Sequence, residues 1–252
     1  MSKRPHPDVL PHGELREVFP NIYLVTGSMK MAGRPLTFSR NMTVIRENSE
    51  LTLLNSVRLD EHGLGQLEKL GKVTNVIRLA GFHGYDDAFY KEKYNATAYA
   101  IEGQSYVEGF DLQAAPYFEP DVWLNAGDEL PVEGARLYTF NSCKVPEAVL
   151  VLLREGGILV SGDALQNWHK PDVFFNFMAR IMMRFAGFVR PCQVGPGWFK
   201  FARPAASDLR GLLDLRFDHV LPAHGEPVIG DAATRYRASI EKMAGLAEQH
   251  EA

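Results

Sequence analysis

Apolar residues recur along this chain in short runs set off by Gly, Asn and charged residues, and twice these runs give way to stretches with helical spacing. Runs at 21–25, 42–45 and 51–54 read as strands of a meander. Leu59, Leu64, Leu67 and Leu70 then predict a short helix, weakened by Gly63 and Gly65. Residues 73–79 predict the next strand, with His83 just beyond its end. After Tyr90 the order repeats, with strands at 123–124, 135–140, 148–153 and 157–161, and Glu155, Gly156 and Gly157 forming a tight hairpin between the last two. A helix at 207–215 opens on a capping Ser207 and puts Leu209, Leu212 and Leu213 on one face. A strand at 217–221 and a closing helix at 231–249, marked by Tyr236, Ile240, Met243 and Leu246, complete the pattern.

Strands followed by helices, twice over, place the chain in the α/β class as an αββα sandwich: two mixed sheets packed face to face with helices outside. No Pro, Gly or Ser-rich linker divides it. It therefore reads as one domain over 1–252, with 1–20 an extended N-terminal segment and 166–206 an insertion placed to act as a lid.

Residues 174–188 break the pattern. Phe174, Phe177, Met178, Ile181, Met182, Phe185 and Phe188 leave only a stripe of Asn176, Arg180 and Arg184 polar, and a helix of that kind has to be covered by something. Three readings stay open: a helix buried in the core, a lid with Met-rich and aromatic walls suited to an apolar ligand, or a homodimer surface. Trp168, His169, Trp198 and Phe199 flank the segment and belong to the same space on the lid reading.

Composition narrows the function. A chain of 252 residues, 46% hydrophobic and 23% charged, can bury a full core. A net charge of -4 with scattered Lys and Arg argues against a nucleic-acid partner. Cys143 and Cys192 are too few for a disulfide framework and read as small buried side chains. The greasy stretch at 173–189 is interrupted by Asn176, Arg180 and Arg184 and falls short of the ~20 residues of a membrane span. The first seven residues carry charge with no apolar run behind them, which predicts a cytoplasmic protein rather than a secreted one.

Three segments, each at the end of an apolar run, carry the candidate chemistry: Leu79-Ala80-Gly81-Phe82-His83-Gly84-Tyr85-Asp86-Asp87-Ala88, Ser161-Gly162-Asp163-Ala164 and Leu221-Pro222-Ala223-His224-Gly225. In order, and over nearly the whole length, they resemble the metallo-β-lactamase superfamily. That family draws its ligands from a His-x-His-x-Asp-His loop, a later His, a bridging Asp and a last His, because imidazoles and carboxylates at strand ends can converge on a metal. Two registers fit the first loop. In the favoured one His83 is the first His, Tyr85 replaces the second, Asp87 keeps the Asp and Ala88 replaces the third His; in the other, shifted by two, His83 takes the second position. The later His is replaced by Lys144, and the family's Ile-Asp-Thr-Gly strand end reads Leu54-Asn55-Ser56-Val57. Asp163 and His224 match the bridging and last positions.

The resemblance implies a degenerate centre that holds at most one divalent metal on His83, Asp87, Asp163 and His224, zinc before iron or manganese, or none at all. Each residue also has a plainer reading. His83 and His224 could be turn histidines bonded to backbone, and Asp86 or Asp87 could cap the helix beginning near Ala88.

Two functions follow. One is a divergent hydrolase acting on an ester, lactone, amide or phosphoester of an apolar small molecule, with Asp86 or Asp87 orienting water and Tyr85 or Lys144 stabilising the oxyanion. The other is a metal-free small-molecule-binding or scaffold protein on the same fold, with the Lys144 ammonium replacing the first metal as counter-ion to Asp163 or Asp87.

Overall fold

The computed structural model describes residues 6–107 and 114–251. The first half builds a seven-stranded sheet from β1 (Arg16–Phe19), β2 (Ile22–Lys30), β3 (Thr37–Glu47), β4 (Glu50–Leu54), β5 (Lys72–Arg78), β6 (Thr97–Ile101) and β7 (Val122–Leu124), with α1 (Glu61–Leu70) and α2 (Asp87–Tyr94) interleaved. Strand order follows chain order, antiparallel from β1 to β4 and parallel from β4 to β7.

The second half supplies β8 (Ala135–Thr139), β9 (Ala148–Leu152) and β10 (Ile158–Ser161), then a connection holding β11 (Leu165–Gln166), α3 (Phe177–Phe185), β12 (Gln193–Val194), α4 (Pro196–Ala202) and α5 (Ala206–Gly211), and finally β13 (His219–Pro222) and α6 (Ala232–Glu251). Here the order is β13-β10-β9-β8, with β10 and β13 parallel, and β11 pairs with β12 as a separate ribbon.

Strand alternation separates the layers. In β9, Leu150 and Leu152 face the other sheet while Val149 and Val151 face the helices, and all four are buried. Ile22, Ile45, Leu54 and Ile77 of the first sheet meet Leu150, Leu152, Ile158, Val160 and Leu221 of the second in a shared apolar layer. On the outer faces, Leu67, Phe89 and Tyr90 cover the first sheet, and Trp198, Leu209, Tyr236 and Ile240 cover the second. The result is the expected αββα sandwich.

Several local expectations change. The run at 42–45 is part of an eleven-residue strand whose buried Ser39, Arg40, Asn41 and Thr43 conceal it from any hydrophobic count. β1 and β6 gave no strand signal; in β6 the buried positions are Ala98, Ala100 and Ile101, too small on average to stand out. Ser207 is not the cap of α5, which starts from Ala205 without a side-chain cap bond. The segment at 174–188 is helical only over α3, where Asn176 accepts the Ala179 amide at 2.8 Å as N-cap and Gly187 follows with φ of 80°. It is not a buried core helix: Ala179 and Met183 are buried while Phe177, Met178, Ile181, Met182 and Phe185 are exposed.

Among the described residues no helix is long and apolar enough to cross a membrane.

Candidate functional site

Three strand ends deliver three side chains to one point. His83 lies in the loop after β5, Asp163 two residues past β10 and His224 two residues past β13, so the two sheets contribute from opposite sides. His83 Nε2 and His224 Nε2 are 3.2 Å apart, His224 Nε2 and Asp163 Oδ1 3.1 Å, and His83 Nε2 and Asp163 Oδ2 3.3 Å. Among the described residues this is the one group of three His, Cys, Asp or Glu side chains close enough to share an ion, and all three are buried.

Close packing holds the loops. A Cβ on Gly162 would stand 2.2 Å from the Ala80 methyl, so only glycine lets the Asp163 loop reach the end of β5. Gly225, at φ of 90°, passes the Asn167 carbonyl where a Cβ would come within 2.1 Å, and this turns the chain after His224. Asn41 of β3 clamps the same turn: its Nδ2 donates to the carbonyls of Pro222 at 2.8 Å and Gly225 at 2.6 Å, and its amide donates to Ala223 at 2.7 Å. Arg78 donates to the carbonyls of Ala80, Gly81 and Ser105 and lies 4.1 Å above the Tyr106 ring, fixing the His83 loop. Gly162 and Gly225 fall within the segments that carry Asp163 and His224, but no motif surrounds Asn41 or Arg78, whose roles are read only once their neighbours are known.

Charge and protonation follow from this packing. His224 Nδ1 lies 2.9 Å from the Ser39 carbonyl oxygen, which can only accept, so Nδ1 carries a proton and Nε2 turns toward the cluster. Burial lowers the affinity of His83 for a proton; Asp163 opposes that, and the charges of His224 and Arg40 add to it. Burial would raise the Asp163 carboxyl, but the two histidines outweigh it and hold the group anionic, well below its ordinary range. Three potential ligand atoms therefore face one another, and the space between them suits either the Nε2 proton of a neutral His83 or a metal.

The metal fits. Ligands ~2.0–2.1 Å from a tetrahedral ion stand about 3.3 Å from one another, as the three separations here do. The donor set of two imidazoles and one carboxylate leaves a fourth position open, as in catalytic rather than structural zinc sites.

The remaining expected residues lie elsewhere. Asp87 does not join the cluster: its Oδ1 accepts from Ser56 and its Oδ2 from the Tyr106 hydroxyl at 2.6 Å. Burial raises its carboxyl above the ordinary value, against the opposing bonds from Ser56 and Tyr106 and the charge of Arg78. Asp86 precedes α2 without a side-chain cap bond; its Oδ2 accepts from Arg40 and from the Arg58 amide, the latter at 2.7 Å. Lys144 is a correction. Its side chain is exposed, its amide donates to the Ala202 carbonyl at 2.8 Å, and the buried cation beside the site is Arg40, paired with Asp86. Tyr85 is half-buried and lines the pocket over the cluster.

Glu147, on the turn into β9, carried no sequence signal and is fully buried. Its Oε1 accepts the Ala164 amide at 2.6 Å, and Oε2 has no partner among the described residues. Burial, then the charge of Asp163, pushes its carboxyl well above the ordinary range, and its bond to the Ala164 amide tethers the Asp163 loop. Asn55 sits at φ of 54° and joins the sheets: its Oδ1 accepts the Leu79 amide at 3.1 Å and its Nδ2 donates to the Ser161 carbonyl at 3.4 Å.

Above the cluster a narrow pocket of about 100 Å³ is walled by Phe38, Phe82, Trp168, Met183, Phe188, Trp198 and Phe201, with exposed Lys30 at its edge. Segment 166–206 thus contributes much of the wall. Two polar atoms there, Trp198 Nε1 and Gln166 Oε1, are buried without partners among the described residues.

No family model matches the chain, and no curated protein matches it. Solved structures do. It superposes on the metallo-β-lactamase DIM-1, crystallised after exposure to ceftazidime, with a TM-score of 0.61 and 16% identity over 96% of this chain and 100% of that one. VMB-1 matches with a TM-score of 0.64 and 13% identity, covering 95% and 98%. FIM-1 from Pseudomonas aeruginosa, in a mono-zinc form, matches with 0.60 and 12%, covering 97% and 98%. The chain has the metallo-β-lactamase fold.

Proposed function

We propose that this chain uses the metallo-β-lactamase fold as a one-metal hydrolase, its ion held by His83, Asp163 and His224, acting on an ester, lactone, amide or phosphoester of an apolar small molecule. The observation that carries the reading is the convergence of three buried potential ligand atoms 3.1 to 3.3 Å apart at the floor of an aromatic pocket. Zinc is the expected ion by donor chemistry, with iron and manganese as the alternatives. When bound, such an ion supplies Lewis acidity that polarises a carbonyl or phosphoryl oxygen and acidifies water.

The protein's own groups do the rest. The Ser39 carbonyl keeps the His224 proton on Nδ1 and so holds Nε2 in its ligating form. Glu147 fixes the Asp163 loop through the Ala164 amide. Aromatic walls exclude water and favour an apolar acyl or aryl group. Tyr85, on the pocket wall, is the hydroxyl that stabilises a developing oxyanion, the role Lys144 is too exposed to take.

A second reading keeps the fold and the pocket but fills the cluster with the Nε2 proton of a neutral His83, facing His224 Nε2 and Asp163, in place of a metal. The buried Arg40 charge beside the site favours it, since a nearby cation opposes a second one. The protein would then bind an apolar ligand without hydrolysing it.

Titration of chelator-stripped protein with zinc, iron(II) and manganese(II), followed by calorimetry and elemental analysis, separates the two. The hydrolase reading expects about one equivalent of metal, at least ~10-fold weaker binding in His224→Ala and Asp163→Ala, and unchanged stoichiometry in Asp87→Asn. Hydrolysis of nitrophenyl esters of increasing acyl length should appear with the metal and vanish in those two variants. Less than about a tenth of an equivalent with every ion would leave the metal-free reading.

A further inference from the structure

The two faces of α3 are both apolar, and they do different things. Ala179 and Met183 pack inward on Leu36, Phe38, Trp168 and Phe175, and Met183 also lines the pocket. Among the described residues nothing covers the other face. Of the twelve large hydrophobic side chains exposed among the described residues, six lie between 173 and 185: Val173, Phe177, Met178, Ile181, Met182 and Phe185. At 100° per residue, the five on the helix span an arc of about 140°. Phe177 is 80% and Phe185 88% exposed, values far outside those of scattered surface apolar residues.

The polar surroundings identify the partner. Lys170, Arg180, Arg184 and Arg190 are all exposed, and Asp172 is the lone acid from 169 to 190. Asp172 is engaged locally, its carboxylate accepting the Phe174 amide at 2.9 Å and its carbonyl accepting from Arg180 at 2.9 Å. The hairpin tip between β2 and β3 adds exposed Lys30 and Arg34, and it is tied to the start of α3 by Asn176, whose Nδ2 donates to the Pro35 carbonyl at 2.9 Å. An exposed apolar stripe rimmed by cations, on a protein whose net charge is -4, is the pattern of a helix lying in a lipid interface. It does not suit a second copy: in a twofold contact this face would meet itself, bringing Arg180 and Arg184 against their own duplicates with no acid to receive them.

We infer that α3 docks the protein on an anionic lipid surface, with Phe177, Ile181 and Phe185 in the acyl boundary and Arg184 among the headgroups, which sets the pocket mouth beside the lipid. Phe201, half exposed on α4 and also part of the pocket wall, extends the same greasy surface to the opening. Docking is independent of whether the pocket hydrolyses anything, so it and the metal titration can fail separately.

Co-sedimentation with vesicles of phosphatidylglycerol and phosphatidylcholine, and with phosphatidylcholine alone, tests the inference, alongside sedimentation velocity of the free protein. The expected result is binding to the anionic vesicles that weakens with added salt, little binding to the neutral ones, and a monomer in solution. Phe177→Ser/Phe185→Ser should bind at least ~10-fold more weakly and Arg184→Glu at least ~5-fold. Both variants should keep the parent's melting temperature, because those side chains point into solvent. Absence of anionic-vesicle binding by the parent, or equal binding by parent and variants, overturns the inference. A parent dimer that the double Phe variant turns into a monomer would assign the face to a second copy and overturn it as well.

Discussion

Arg40 shows how much one buried side chain can decide. The residue is 5% exposed, and its guanidinium pairs with Asp86 and leaves Nε and Nη1 without partners among the described residues. Arg40→Met would strand the Asp86 carboxylate in the core and should lower stability by about 3–5 kcal/mol. Lys144→Met, at an exposed position, should change it by less than about 0.5 kcal/mol. Urea denaturation of both variants measures the contrast, and a large loss in the Lys144 variant would restore that residue to the site. The cysteines give a pH-dependent outcome. Burial, then the charges of Glu147 and Asp208, pushes the Cys143 thiol above its ordinary value of 9.0, and burial raises Cys192 likewise. Because only the thiolate reacts, alkylation by iodoacetamide at pH 8 should be well over ~10-fold slower in the folded protein than in urea, and should accelerate only above the ordinary thiol range. Mass spectrometry of the two peptides reads this directly.

At the scale of elements, α3 illustrates why a periodic apolar segment cannot be placed from its own sequence. Its spacing is helical, yet the same spacing serves a core helix, a lid or an interface, and only the position of Leu36, Phe38 and Trp168 selects which arc is covered. Its ends are set locally. Asn176 accepts the Ala179 amide and Gly187 ends the turn with positive φ, so the helix is shorter than its greasy pattern. Asn176→Ala should cost about 1 kcal/mol and speed amide exchange in α3 while leaving β9 and β10 protected. Equal exchange throughout would mean that α3 unfolds with the sandwich rather than by itself. β9 was legible for the opposite reason: Val149, Leu150, Val151 and Leu152 are buried on both faces, and a continuous β-branched and Leu run between turn residues has few other solutions. β3 was only partly so, because Arg40 and Asn41 are buried in it to serve the site.

For the whole molecule, the site couples the two halves of the chain, since His83 and His224 lie 141 residues apart and meet only when both sheets are in place. A ligand at that junction should therefore stabilise the entire sandwich. On the one-metal reading, zinc at about a hundred times its dissociation constant should add about 2.7 kcal/mol, or roughly 5–10 °C in melting temperature for a chain of this size. His224→Ala should show no such gain in a thermal scan. Glu147→Leu, which deprives the Ala164 amide of its acceptor, should lower stability by about 1–3 kcal/mol, and Glu147→Gln, which keeps an acceptor, should restore most of it.

The sequence by itself determined the sandwich and the strand ends that carry His83, Asp163 and His224, because alternation, turn residues and motif spacing are local signals that neighbours along the chain report. Tertiary structure alone decided the rest. It turned Asp87 toward Ser56 and Tyr106, paired a buried Arg40 with Asp86 while leaving Lys144 exposed, brought Glu147 beneath the Asp163 loop and left one face of α3 bare among the described residues. Each of these depends on which distant groups occupy the space around a side chain, and a buried charge or an open face is a property of that surrounding rather than of the residue.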